Sequence, residues 1–464
     1  MGVMKLSGVL SKIVMARYVT PYEYGLITLA VISLPSMFYY LTNFCLHDML
    51  SHSKEGKSYF GFAAIYSLIT SMLVGVLIFI FHERFFNFLN LPLDLWKILF
   101  FAFLISLIPT SILNDITGLL RGLKKYSLTS IIASLPSILK LCLVLIAIYL
   151  MHITDFMTML VIFAASSPIA LMLILIRYPK PIFSALRSVN LPSKNIFFFG
   201  TSVYILGLFG GLSQTLSKIV ISHDLGIVWQ GYFDVSLTLV AILSFAFAAM
   251  SFISIPEATG ADNREEILFE RGNLGDVVRG LFAFLVLGII LLYFYSYQFI
   301  ELLFGREYIA SAEYVAILAI GYIFLFIQQF LAYMNVSFQD PEEYRPLIIA
   351  TLICLVLSPL ATHVFILFMG FSGAYVSLTL FLMIYTVITI LYSNDLTPLH
   401  ALSQRIDRLA ISSLVTFTFI YFFASPHFLY GILASSFIFT ILVFSSGYLD
   451  KSLILDMFRK EVSS

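Results

Sequence analysis

The sequence predicts an all-α integral membrane protein of about 14 transmembrane helices: two parallel six-helix lobes related by a pseudo-two-fold along the membrane normal, plus two C-terminal helices. Three observations carry this. Of 464 residues, 60% are hydrophobic and only 11% charged, whereas a soluble domain carries roughly a quarter charged residues. Apolar runs of roughly 20 residues, the length that crosses a bilayer, recur along the whole chain. Finally, Leu6–Gly25 (LSGVLSKIVMARYVTPYEYG) is repeated as Leu212–Gly231 (LSQTLSKIVISHDLGIVWQG), with eight of twenty positions identical and an unbroken Leu-Ser-Lys-Ile-Val in both. A self-match at one long offset marks a duplicated unit.

In chain order the runs span 1–19, 26–46, 59–81, 96–117, 128–151, 156–176, 195–221, 231–255, 276–298, 313–334, 345–367, 372–393, 409–425 and 429–447. The first, from Val3 to Val19, rises only about 25 Å, so either it is short and recessed or the chain starts upstream of Met1. No small-residue cleavage site follows it. The duplication continues faintly: Gly122–Tyr126 before the fifth run answers to Asp340–Tyr344 before the eleventh. The expected units are therefore 1–176 (helices 1–6), a basic linker 177–194, 195–393 (helices 7–12) and 394–464 (helices 13–14 and a tail). Each copy has an even helix count, so both enter the membrane from the same side, an arrangement in which a substrate site lies between the halves. Pro35, Pro109, Pro136, Pro168, Pro359 and the Gly207, Gly210, Gly211 cluster mark places where helices can bend or pack closely.

Orientation follows from lysine and arginine. With the N-terminus in the cytoplasm, seventeen of them fall in inside loops against four in or beside the outside ones, so both termini are expected to be cytoplasmic. The linker 177–194 can anchor to anionic membrane lipids, and 256–275 reads as a solvated amphipathic connector. Asn335-Val336-Ser337 fits a glycosylation sequon but falls in an inside loop. Cys45, Cys142 and Cys354 sit inside apolar runs without CxxC spacing, which argues against disulfide or metal roles. No P-loop is present, and neither a cofactor nor a metal is expected.

Ala16-Arg-Tyr-Val-Thr-Pro-Tyr-Glu-Tyr-Gly25 is similar to the "aRxLxPxEYG" signature after helix 1 of Wzx-type polysaccharide-biosynthesis flippases, members of the multidrug/oligosaccharidyl-lipid/polysaccharide exporter superfamily. Gly118-Leu-Leu-Arg-Gly-Leu-Lys-Lys-Tyr126 resembles that family's loop before helix 5. Gly231-Tyr-Phe233, Ile255-Pro-Glu257, Phe304-Gly-Arg-Glu-Tyr308 and Gly370-Phe-Ser-Gly-Ala374 resemble further landmarks in the expected order. Two departures stand out: the stretch before Arg17 is short, and Lys218 occupies a helix 7 position that is often acidic in the family. The resemblance implies a flippase in the cytoplasmic membrane. It would carry a lipid-linked oligosaccharide, on a polyprenyl or dolichyl phosphate or diphosphate, to the outer leaflet, with Na+ or H+ as a possible coupling ion.

Ionisable residues inside spans are costly and become functional candidates. Lys140 lies midway along helix 5 and should face a wet cavity or a carboxylate; Arg17 lies near the outer end of helix 1, where it can also snorkel to headgroups. Lys12 and Lys218 occupy equivalent positions of helices 1 and 7, so a two-fold axis would aim both ammonium groups across one space. Lysine binds phosphate without demanding fixed geometry, and these four form the expected substrate-binding set. Asp115 and Asp234 lie near helix ends and read as capping or salt-bridge residues, and Arg279 as interfacial. A multidrug or cation antiporter of the same fold would want carboxylates in the cavity, where this chain places lysines. A membrane glycosyltransferase would need a large or carboxylate-rich loop, and no outside loop exceeds about fifteen residues. A lipid II flippase shares both fold and cationic cavity and stays open as an alternative.

Overall fold

The computed structural model describes residues 2–52, 56–186, 189–246, 274–338, 345–393, 396–423 and 428–449, and among these there is no β-strand. The longer helices are α1 (Gly2–Ala16), α2 (Pro21–Thr42), α3 (Gly56–Ile80), α4 (Trp96–Gly122), α5 (Tyr126–Leu150), α6 (Phe156–Arg177), α7 (Lys194–Asp224), α8 (Ile227–Ser244), α9 (Leu274–Leu303), α10 (Val315–Phe338), α11 (Arg345–Met369), α12 (Phe371–Leu391), α13 (Ile406–Phe423) and α14 (Phe428–Ser445). They fall on the expected runs in order. Among the described residues, twelve helices are long and apolar enough to cross a membrane. A thirteenth is added if α7, bent by 42° between Ile196–Ser202 and Gly207–Asp224, counts as one span. With 15 residues, α1 is shorter than a bilayer requires, so length alone does not reach the expected fourteen. The connector 256–273, the landmark Ile255-Pro-Glu257, the residues Asp340–Tyr344 and the tail 450–464 lie outside the described residues, as do the side chains of the sequon.

Local chemistry explains the sharp turn after α1. Thr20 caps α2: its hydroxyl accepts the Glu23 amide at 3.4 Å, and the Glu23 carboxylate accepts the Thr20 amide at 2.9 Å. With Pro21 in the first turn, this reciprocal capping box starts a helix without fraying. The corresponding turn before α8 is made instead by Gly226, whose φ of +97° suits glycine. Within α2, residues Thr28–Ser33 form a π-helical turn just before Pro35, which lets the helix continue past a residue without an amide hydrogen.

Packing repeats with a period of six helices. In the first half α1 lies on α5, α3 on α4, and both α4 and α5 on α6. In the second, α7 lies on α11, α9 on α10, and both α10 and α11 on α12. The halves meet where α2 crosses α8. There the closing glycines of the sequence repeat face each other: a Cβ on Gly25 would strike the Ile227 carbonyl, and one on Gly231 would strike the Pro21 carbonyl. Helices α13 and α14 pack against α9 and leave Leu414, Phe422, Phe423, Leu429 and Tyr430 two-thirds or more exposed. So large an apolar surface is stable only against lipid. The chain is a multi-pass membrane protein.

Candidate functional site

Duplication about a two-fold axis makes the interface nearly self-complementary: where residue i of one half touches j of the other, the copy of j touches the copy of i. The 206-residue offset pairs Tyr24 with Gln230 and Thr28 with Asp234. Across the crossing, the Tyr24 hydroxyl donates to Asp234 Oδ2 at 2.9 Å, and Gln230 Nε2 lies 3.5 Å from Thr28 Oγ1. These two contacts exchange under the axis, with Gly25 and Gly231 between them. One difference breaks the symmetry. The second copy has a carboxylate where the first has a hydroxyl.

That carboxylate gathers both repeated lysines. Lys12 of α1 places Nζ 2.8 Å from Asp234 Oδ2 and 3.3 Å from Thr238 Oγ1. Lys218 of α7 bonds Oδ1 of the same residue. Asp234 is fully buried, while the Lys12 and Lys218 side chains keep 17% and 11% of their surface. Lys218 stands six residues before the end of α7, and Asp234 seven after the start of α8, so the cluster lies roughly 10 Å inside the helix ends. The Lys12 bond joins the halves, whereas the Lys218 bond stays within the second.

Lys140 extends the cluster on the side of α5. It is half-buried, its Nζ rests 4.8 Å above the Phe163 ring, and it is close enough to Lys12 for their charges to repel. Among the described residues no carboxylate pairs with it. Two ammonium groups thus hold one carboxylate, and a third lysine stands beside Lys12 at membrane depth. Arg17 is elsewhere. It is exposed at the rim, where Nε donates to the Leu303 carbonyl at 3.0 Å at the C-terminus of α9. It also lines a cleft of about 300 Å³ with Ile13, Val14, Tyr18, Tyr149, Leu302 and Leu303.

The same rim carries further links between the halves. Tyr308 donates to the Val19 carbonyl at 2.9 Å, and Asn90 Nδ2 donates to the carbonyls of Ser222 and His223 at 3.0 and 2.6 Å. On the other membrane face, the basic face that carries the loop 177–194, the bent half of α7 leans on the end of α2. Tyr204 donates to the Tyr40 carbonyl, and Phe44 packs against Tyr204 with ring centroids 5.2 Å apart.

The convergence of Lys12 and Lys218 is legible from the repeat; their shared counter-ion is not. Asp234 lies three residues beyond the last matched glycine. Carrying the offset on to Thr28 would have flagged it as the position where the copies differ in charge. The other acid near a helix end, Asp115, is also fully buried and forms no ion pair among the described residues. Arg279 is tied to Asp276 and to Gln404 Oε1, the latter at 2.6 Å, close to the start of α9.

The sequence profile described as "Polysaccharide biosynthesis protein" matches residues 2–256, more than half of the chain. No curated protein matches. Among solved structures, the lipid II flippase MurJ in its inward closed conformation is similar at 13% identity and a TM-score of 0.66, covering 95% of this chain and 96% of that one. A mutant of the Vibrio cholerae MATE transporter VcmN is similar at 14% identity and a TM-score of 0.56, covering 84% and 93%. A MATE in complex with MaD3S gives 16% identity and a TM-score of 0.54, covering 88% and 94%. These similarities show a shared fold. The profile match shows that the chain belongs to the polysaccharide biosynthesis protein family.

Proposed function

We propose that the protein flips a lipid-linked oligosaccharide across the cytoplasmic membrane by alternating access, with Lys12, Lys218 and Lys140 receiving its phosphate or diphosphate. Both termini and the basic face are taken to be cytoplasmic. The observation that carries this reading is the cluster itself: Lys12 and Lys218 on one buried carboxylate at membrane depth, with Lys140 beside Lys12 and the Lys12 link crossing between the halves. A sugar headgroup cannot cross hydrocarbon, and its phosphate needs cations. The low-dielectric surroundings strengthen that attraction relative to water.

Asp234 occupies the lysines while no substrate is present. A phosphate offers more acceptor oxygens than a carboxylate, so on arrival it takes over the ammonium hydrogen bonds. Releasing Lys12 from Asp234 removes one bond that holds the halves together near the rim. Anion binding and opening of the rim are then one event. Arg17, already at the rim, is placed to meet the headgroup as it leaves. An antiporter of organic cations would instead present an open carboxylate, and Asp234 is buried and fully engaged. A coupling ion, Na+ or H+, would supply direction.

Flipping of a polyprenyl-diphosphate sugar by the full chain in proteoliposomes tests the proposal. Lys12→Gln with Lys218→Gln should cut transport strongly while insertion stays normal, glutamate should be worse, and arginine partly tolerated. Wild-type transport by the double glutamine variant would place the phosphate elsewhere.

A further inference from the structure

The second buried carboxyl, Asp115, sits inside the first half. Its α4 neighbours and the facing end of α2 supply an unusual surrounding. Oδ1 accepts from Asn43 Nδ2 at 2.6 Å, and the same amide lies 3.3 Å from both the Ser67 hydroxyl and the Ser111 carbonyl. Oδ2 is buried and has no partner among the described residues, and neither has the Ser71 hydroxyl one turn along α3. Thr42, Asn43, Ser67, Ser71, Ser111 and Asp115 are all at most 1% exposed. Among the described residues no ion pair joins this carboxyl to a cation. Of the titratable groups around it, from α2 there is Tyr39, whose hydroxyl lies 3.5 Å from Asn43 Oδ1. From the short helix Leu46–His52 there are His47, whose amide bonds Asn43 Oδ1 at 3.3 Å and whose Nδ1 meets the Asn114 carbonyl at 2.9 Å, and Asp48, whose charge shares Tyr39 as a neighbour with Asp115. From α3, α5 and α6 no described lysine or arginine comes within ion-pair distance of Asp115.

A carboxylate buried without a counter-charge is costly and takes up a cation or a proton. A hard metal cation wants about six oxygen ligands, and of the oxygens described around this carboxyl only Oδ2 and the Ser71 hydroxyl are without a partner. Asn43 Oδ1 accepts an amide, the Ser111 carbonyl accepts Asn43, and the Thr42 and Ser111 hydroxyls pair at 3.2 Å. No group of three or more histidine, cysteine or acidic residues among the described residues is arranged to hold a metal. A proton needs only Oδ2.

Asn43 is also where α2 ends. The chain breaks there and turns through Cys45, a non-glycine residue with φ of +52°, a left-handed conformation that side chains disfavour. The segment beside this break is what the second half touches on the basic face: Tyr40 and Phe44 meet Tyr204, and Met49 packs at Gly200.

We propose that Asp115 is a proton-binding site whose occupancy sets the seating of the α2 break at Asn43–Cys45 and, through it, closure of the two halves on the basic face. When Asp115 is protonated the pocket stays dry and the break stays seated. When it is ionised, Oδ2 needs water or a new donor, and the break is the nearest seam through which either can come. The proton assignment stands without the proposed substrate; its consequence for closure rests on the alternating-access reading.

Two readouts on the purified full-length chain in lipid nanodiscs, with no substrate, test it. Infrared difference spectra across a pH titration should show a protonated-carboxyl band that downshifts in deuterium oxide, moves in Ser67→Ala and is lost in Asp115→Asn. The wild-type isotope shift keeps the test available if a variant fails to fold. In a background of Cys142→Ser and Cys354→Ser, the buried native Cys45 then reports the break. Wild type and Asp115→Asn should alkylate at equal rates at acid pH. The wild-type rate should pull ahead over the range in which the band disappears. Absence of the band in wild type, its survival in Asp115→Asn, or a rate ratio that never changes with pH would overturn the proposal. Loss of the band on adding Na+ at fixed pH would also overturn it, in favour of a metal-ion site.

Discussion

Asp234 and Asp115 are equally buried, yet one meets two ammonium groups and a phenol while the other meets an amide and serines. The first lies on the seam between the halves, the second inside one of them. Burial therefore does not decide what an acid does in this molecule; the partners it finds do. A carboxylate with two counter-charges is held ionised as a fixed structural anion. One with none is free to exchange a proton, and the cost of its charge is transmitted to whatever must move to solvate it.

The largest effect that separates the two sites should come from Asp234→Ala. Removing one member of a buried ion cluster leaves uncompensated charge and costs about 3–5 kcal/mol, read as a lowered thermal midpoint in nanodiscs. Replacing all three members, with Lys12→Met, Lys218→Met and Asp234→Leu together, should restore much of that stability, because well-packed apolar groups often match a buried ion pair. It should not restore flipping. A triple variant that still transports would show that the cluster only holds the halves together.

Next in size are the glycines on the axis. Gly25→Ala or Gly231→Ala forces a methyl against a facing carbonyl, and overpacking of this kind costs roughly 1–3 kcal/mol. Equal losses at the two positions would support the two-fold seam. A loss at one only would mean that the halves bear on each other unevenly. Removing the cap of α2 with Thr20→Ala should cost about 1 kcal/mol and shift the rim without touching either acid. Smallest of all, Asp115→Asn should alter stability at acid pH by less than about 1 kcal/mol, since a neutral amide replaces a neutral acid. A loss as large as that of Asp234→Ala would mean that Asp115 is held ionised, and the contrast between the two sites would collapse.

Much of this was legible in the sequence. Helices occupy the expected runs because length and apolarity suffice to place a span. The repeat predicted that Lys12 and Lys218 converge, because an axis carries equivalent residues to equivalent places. The family-like Thr-Pro-Tyr-Glu-Tyr-Gly proved to be a capping box, a hydroxyl on Asp234 and a close helix crossing in succession. What remained hidden were the charges that depend on tertiary partners. Asp234 and Asp115 both read as residues near helix ends, and nothing in their local sequence tells which faces a lysine. Lys140 read as facing water or a carboxylate, and its nearest described partner is the face of Phe163. Arg17 could point to a cavity or to headgroups; it bonds the free carbonyl end of α9.

The mismatch of Thr28 with Asp234 has a consequence for how such a molecule can be built. Two copies of the first half would bring two lysines to the axis and no acid; two copies of the second would bring two of each. Neither homodimer reproduces the present charge balance, which needs one half of each kind. The fused chain is thus more than a convenience of synthesis. It fixes the pairing of unlike partners at a site where like partners would leave either lysines with no acid or as many acids as lysines.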